Sequence, residues 1–242
     1  GEDELQRPPS GLAWSGLAAG LSMGLSLLTE SFLSHHLPTA TWTPLVTRLG
    51  YSVGFIAIIL GNQQLYTENT LTAVVPVLAR KQEGALRVML RLWGVVLLAN
   101  LVGALLFALW VNIPGLFDSD VMKSIDHVAM HSLEHDPLQT FGLAIFAGWL
   151  VALLVWMLAT VKETKLFVII IITYIIGIGG FPHIIAGAVS VSHAALRGLA
   201  TWDTALLGYV VPTLLGNTLG GVALVAALGH AQVEPNEEEQ LP

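Results

Sequence analysis

The chain has 242 residues, 54% hydrophobic and 11% charged, with a formal net charge of −7 and no cysteine. A soluble domain carries about 25% charged residues, so the composition excludes an ordinary soluble domain, and the missing cysteines exclude a disulfide framework or a thiolate metal site. Seven of the seventeen acids lie in the tails (Glu2, Asp3, Glu4, Glu234, Glu237, Glu238 and Glu239), and no basic cluster with interleaved aromatics exists, which argues against a nucleic-acid partner.

Gly1–Ser10 is polar, and no short apolar region with a cleavage site follows it. Residues 1–11 read as an N-terminal segment, 12–232 as a membrane domain and 233–242 as an acidic tail. Apolar runs near the ~20 residues a membrane-crossing helix needs begin at Leu12–Leu33. That run is rich in small residues that permit close helix packing (Ala18, Ala19, Gly20, Gly24), and Glu30 in its last turn reads as an interfacial carboxylate. Pro44–Leu60 opens a second span, interrupted by the polar stretch 61–69 and resumed from Thr70 to Leu78, before Arg80 and Lys81. Within the interruption, Glu68 and Asn69 suit a cap for a helix beginning near Thr70. Leu92–Trp110 is the third span, Asn112–Pro137 a polar acidic connection, and Thr140–Ala159 the fourth span.

The fifth apolar run, Leu166–Leu196, contains Gly177-Ile178-Gly179-Gly180-Phe181-Pro182-His183. Three glycines and a proline make a continuous helix there unfavourable. His183 is the only acidic, basic or imidazole side chain between Lys165 and His193. A titratable group at a helix break in mid-membrane is how transport proteins line a cavity; the bland alternative is a buried neutral histidine bonded to backbone. Thr204–Leu228 is the sixth span. Spans one to three and four to six each run plain helix, broken helix, then a helix with an Asn-x-x-Gly motif, at Asn100 and Asn217. These asparagines are expected to bond between helices. Three spans per half invert one half relative to the other. With the N-terminus cytoplasmic, seven of the ten Lys and Arg fall inside and three outside, as the positive-inside rule requires.

Six spans, breaks in the second and fifth, Leu65-Tyr66-Thr67 in the first break, Gly180-Phe181-Pro182-His183 in the second and the paired Asn-x-x-Gly motifs together resemble the formate/nitrite transporter family. The segments 63–70, 91–98 and 230–232 look closer to its YfdC-like inner-membrane subgroup. The resemblance implies an all-α, aquaporin-like fold of two inverted three-helix repeats with helices 2 and 5 broken. It also implies a homopentamer in a bacterial inner membrane, with both termini cytoplasmic and a pore in each protomer. The matching central histidine is His183, with Thr67 hydrogen-bonded to it; Phe55, Leu65 and Ile176 match the apolar constrictions, and Glu68, Asn69, Gly179 and Gly180 the broken-helix loops. The implied activity is transport of a small weak-acid anion such as formate or nitrite, proton-coupled through the histidine, with no enzyme activity, cofactor or metal. The family's anion channels carry a lysine at the mouth of span four and an asparagine deeper in it; the corresponding positions fall near Ser132 and at Gly148, and Glu68 adds a carboxylate. These departures leave a neutral or cationic solute as an alternative cargo.

His127, His131 and His135 recur every four residues, and His131-Ser132-Leu133-Glu134-His135 matches H-x-x-E-H, an inverted zinc-protease motif. On one helical face those histidines could hold zinc, with Glu134 as a base. Without a surrounding catalytic domain a metal-binding role is the lesser alternative.

Overall fold

The computed structural model describes residues 7–74 and 84–233, apart from the side chains at 225, 226 and 228–233. The start of the N-terminal segment, the stretch containing Arg80 and Lys81, and the acidic tail beyond Val233 lie outside the described residues. Among the described residues every element is helical. In order they are α1 (Pro9–His36), α2 (Thr43–Thr47), a 3-10 turn (Arg48–Tyr51), α3 (Ser52–Leu60), α4 (Tyr66–Thr72), α5 (Ala85–Val111), α6 (Ser119–Met130), a second 3-10 turn (His131–Leu133), α7 (Pro137–Thr160), α8 (Lys165–Ile178), α9 (Ile184–Leu196), a π-helical segment (Thr204–Val210) and α10 (Val211–Val233).

Among the described residues five helical stretches are long and apolar enough to cross a membrane: Pro9–His36, Thr43–Leu60, Ala85–Val111, Pro137–Thr160 and Thr204–Leu224. The fifth expected span is instead two shorter apolar helices, α8 and α9, parted at residues 179–183. The outward faces carry Trp14, Leu98, Phe146 and Leu215 exposed, a surface suited to lipid or a neighbouring subunit rather than water.

Two helix pairs form the frame, α1 with α5 and α7 with α10, and they are packed by the same device. A side chain on Gly20 of α1 would overlap the Asn100 carbonyl, and one on Gly148 of α7 would overlap the Asn217 carbonyl. Gly103 and Gly220 press the reciprocal faces onto Leu17 and Ile145 in the same way. Small residues bring the helix backbones together where no hydrophobic effect can. Gly148 is therefore a packing position, where a side chain would overlap the Asn217 backbone.

Both interruptions are built alike. Each preceding helix closes with a Schellman motif: Gln63 and Asn62 donate their backbone N–H to Ile58 and Ile59, and Phe181 and Gly180 donate theirs to Ile176 and Gly177. The motif needs a left-handed residue, supplied by Asn62 (φ 50°) and Gly180 (φ 61°). The half-helix after the first break begins sooner than the polar residues suggest. The chain is extended at Leu65, and α4 starts at Tyr66, so Glu68 and Asn69 lie in its first turns rather than in a loop, and neither caps it. The reason is a cap from another helix: Asn100 Oδ1 accepts the Tyr66 N–H at 2.9 Å. Gly179 and Gly180 do occupy the second turn.

The acidic connection folds into an amphipathic helix, α6. Asp118 caps it, accepting from the backbone N–H groups of Asp120 and Val121. The α-helix ends at Met130, so the H-x-x-E-H stretch enters a 3-10 turn and does not share one helical face. Among the described residues no group of three histidines, aspartates or glutamates is placed to hold a metal ion.

Candidate functional site

The two breaks meet, and their junction is wired twice with one pattern. Asn100 Nδ2 donates to the carbonyls of Gly16 (2.7 Å) and Gln64 (2.9 Å), while its Oδ1 takes the Tyr66 N–H. Asn217 Nδ2 donates to the carbonyls of Ala144 (2.8 Å) and Pro182 (2.9 Å), while its Oδ1 takes the Ile184 N–H at 2.8 Å. Each asparagine ties a frame helix, a break and the first residue of a half-helix into one buried node. Freed backbone groups at membrane depth need such partners. The expected interhelical bonding is thus extended to a role in holding both breaks.

At the junction Thr67 Oγ1 and His183 Nε2 lie 2.8 Å apart. Both residues are almost wholly buried, at 1% exposure each. His183 is also the N-cap of α9, its Nδ1 accepting the Ala186 N–H at 3.3 Å. A neutral imidazole that accepts at Nδ1 carries its proton on Nε2, so the ring donates to Thr67. The histidine is bonded to backbone, and it presents its one proton to a hydroxyl. Phe55 packs edge-on against the ring with centroids 4.9 Å apart. Leu65 and Ile176 are buried in the same core. Phe181 stacks on Phe146 with centroids 5.2 Å apart, pinning the second break to α7.

Cavities approach from two directions. One of about 640 Å³, its open mouth included, runs from Glu30 and Arg48 past Tyr51 and His135 to Ile176 and His183. The other, about 820 Å³ on the same measure, is lined by Asn62, Gln63, Gln64, Glu68 and Lys165. Phe55, Leu65 and Thr67 line neither, so the buried plug between them contains the Thr67–His183 bond.

Of three further residues at the first cavity, only the first had no sequence signal. Tyr209 stands in the π-helical segment, donates its hydroxyl to the His183 carbonyl at 3.4 Å, and packs so closely that Gly187 cannot carry a side chain. Glu30 is buried and paired with Arg48. Ser132 lines the same cavity. Burial and the Arg48 charge hold the His131 ring below the ordinary imidazole value, despite Glu134 nearby.

A second polar cluster clamps α6 to α9. Asp126 accepts from His193 Nε2 (2.8 Å), Arg197 Nε (3.0 Å) and Arg197 Nη2 (3.0 Å), and Asn112 Nδ2 donates to His193 Nδ1 at 3.0 Å. Burial raises the Asp126 carboxyl, but the bonds from Arg197 and His193 outweigh it and leave it below its ordinary value. A carboxylate depressed in the folded state adds stability that is complete above its unfolded pKa, about 4, and is lost as pH falls through the lower folded value. Asp126→Asn is therefore expected to lower the melting temperature at pH 7. The gap to the unsubstituted protein should narrow below about pH 4; thermal unfolding across that range checks it.

Apolar helices packed through glycines around two facing breaks define a polytopic membrane protein of the channel class. The fold matches that of a solved "pentameric formate channel with formate bound", with a TM-score of 0.78 at 21% identity over 93% of this chain and 97% of that one. It also matches a solved "FNT family ion channel", with a TM-score of 0.79 at 25% identity over 94% of this chain and 91% of that one. Residues 1–231 match the formate/nitrite transporter family model, and the chain belongs to that family. Its relatives include the inner membrane protein YfdC of Escherichia coli, 37% identical over 96% of this chain and 75% of that protein. The formate channel FocA of Haemophilus influenzae is 30% identical over 71% of this chain and 62% of that protein. The family and these neighbours are channels and transporters, not enzymes.

Proposed function

We propose that the chain forms a transmembrane pore for a small weak-acid anion of the formate or nitrite kind, with transport coupled to protons through His183. The observation that carries this reading is the Thr67–His183 bond, buried where two helix breaks meet between two cavities. A bare anion loses its hydration in an apolar constriction at great cost. Protonation removes that cost, and imidazole is the side chain whose ordinary pKa suits lending a proton near neutrality. The neutral ring holds its proton on Nε2, toward Thr67. A proton taken up at Nδ1 displaces the Ala186 cap and releases the Nε2 proton through the Thr67 hydroxyl to the anion. The ring, now protonated on Nδ1 alone, resets when a further proton reaches Nε2 as the Nδ1 proton leaves, and the cap re-forms. Phe55, Leu65 and Ile176 form the constrictions that admit the acid in its neutral form.

The repeated asparagine nodes and Schellman breaks support two three-helix halves in inverted orientation, six spans in all, with α3–α4 and α8–α9 as the broken spans. The membrane domain comprises residues 12–232, with cytoplasmic ends at 1–11 and 233–242. The inner-membrane name of the Escherichia coli relative and the pentameric title of the solved neighbour support a homopentamer in a bacterial inner membrane. Purified protein in vesicles, challenged with formate, nitrite, acetate, bicarbonate, ammonium and urea at two pH values, tests the reading. Weak acids should cross faster at the lower pH and ammonium or urea should not. Passage of urea or ammonium in preference to every acid would favour a neutral or cationic cargo and overturn it.

A further inference from the structure

The cavity that ends on His183 is entered past a buried ion pair that the proton relay does not use. Glu30, near the end of α1, is buried, and Arg48, at the start of the first 3-10 turn, bonds to it through Nη1. Both line that cavity, where among the described residues Arg48 is the one lysine or arginine and Glu30 the one carboxylate. A guanidinium presents a planar fork of N–H donors shaped for a carboxylate. Among the described residues the bond to Glu30 is the only hydrogen bond or ion pair the Arg48 side chain makes, so the rest of the fork is unengaged.

The pair is not needed to hold the turn onto α1. Ser26 Oγ already donates to the Tyr51 carbonyl at 2.6 Å and accepts the Gly54 N–H at 3.0 Å. Gly50 rests against the backbone of Glu30 with no room for a side chain. A buried charge pair is often no more stabilising than apolar groups of the same shape. Kept beside an existing staple, at the wall of a cavity, it points to a use beyond packing. Ser132, near which the span-four lysine of the family's anion channels falls by resemblance, lines the same cavity.

We propose that Arg48, steadied by Glu30, is a docking site for a small carboxylate or similar oxyanion ahead of His183. This deepens the weak-acid pore reading and rests on it for passage of the docked anion beyond Arg48. The incoming anion competes with Glu30 for the guanidinium. Glu30 therefore sets how tightly the anion is held, and keeps the site from trapping what it must pass on.

Two readouts on the full-length protein in lipid test this: saturation-transfer NMR on the formate proton for docking, and vesicle uptake of formate for passage. Glu30→Gln keeps the cation and removes its competitor, so formate should dock at about tenfold lower concentration. Arg48→Gln should dock it about tenfold more weakly, and Arg48→Lys should fall between, because an ammonium lacks the fork. Arg48→Gln leaves Glu30 buried without its partner, so the double variant Glu30→Gln/Arg48→Gln, an amide facing an amide, guards against misfolding. It should match Arg48→Gln. A double variant that docks formate like the unsubstituted protein overturns the proposal and leaves the pore reading intact. So does unsubstituted protein that carries formate with no docking signal. Docking that obeys the series without any uptake supports the site and overturns the pore reading.

Discussion

Asn217→Ala is expected to destabilise the protein by about 3 kcal/mol or more, with a melting temperature lower by several degrees than that of the unsubstituted protein. The side chain is wholly buried and makes three hydrogen bonds at once. Alanine strands the Ile184 N–H and the Pro182 carbonyl beside the second break, where each unmade bond costs roughly 1–3 kcal/mol. The Ala144 carbonyl loses less, because it sits within α7. Asn100→Ala should cost a similar amount, since Gly16, Gln64 and Tyr66 repeat the three contacts around it. Thermal unfolding in detergent measures both. Variants that melt within a degree of the unsubstituted protein would show that the nodes do not hold the breaks.

His183→Asn is expected to reduce proton-coupled uptake by about a hundredfold, the lower end of what a positioned proton donor contributes, while leaving the fold in place. The substitution is chosen for the dual position of the residue. His183 caps α9 by accepting the Ala186 N–H, and asparagine is among the best N-caps. The helix therefore still begins at Ile184, but no titrating nitrogen faces Thr67. His183→Ala removes the cap as well and should cost a further ~1 kcal/mol of stability. Comparing the two separates the chemistry from the capping. Unchanged flux with unchanged pH dependence in His183→Asn would end the relay.

The sequence made legible what depends on apolar run length and on backbone-breaking residues. Glycine clustering at 177–180 with Pro182 located the second break, because those residues oppose a helix wherever they fall. The Asn-x-x-Gly motifs located the nodes at Asn100 and Asn217. The extent of the first break was misjudged for a physical reason. Polar Glu68 and Asn69 read as loop, yet Asn100, 34 residues past Tyr66, supplies the cap that starts α4 earlier. Arg48 and Glu30 were unreadable as a pair, since their contact spans 18 positions and depends on how the 3-10 turn lies across α1. Tyr209 reaches the His183 carbonyl from a π-helical segment that nothing in its local residues announces. Helix α6 was hidden by its polar composition, although Asp118 already had the chemistry of its cap.

Vesicles holding the unsubstituted protein and loaded with a pH-sensitive dye, in which formate uptake and internal acidification are followed together, report most directly on His183 as the proton-transfer centre. With protein-free vesicles as the baseline, protein-dependent formate entry should be matched by protein-dependent acidification, and both should vanish in His183→Asn. Formate that enters through the protein without its proton, or a His183→Asn variant that still acidifies the interior, would contradict it.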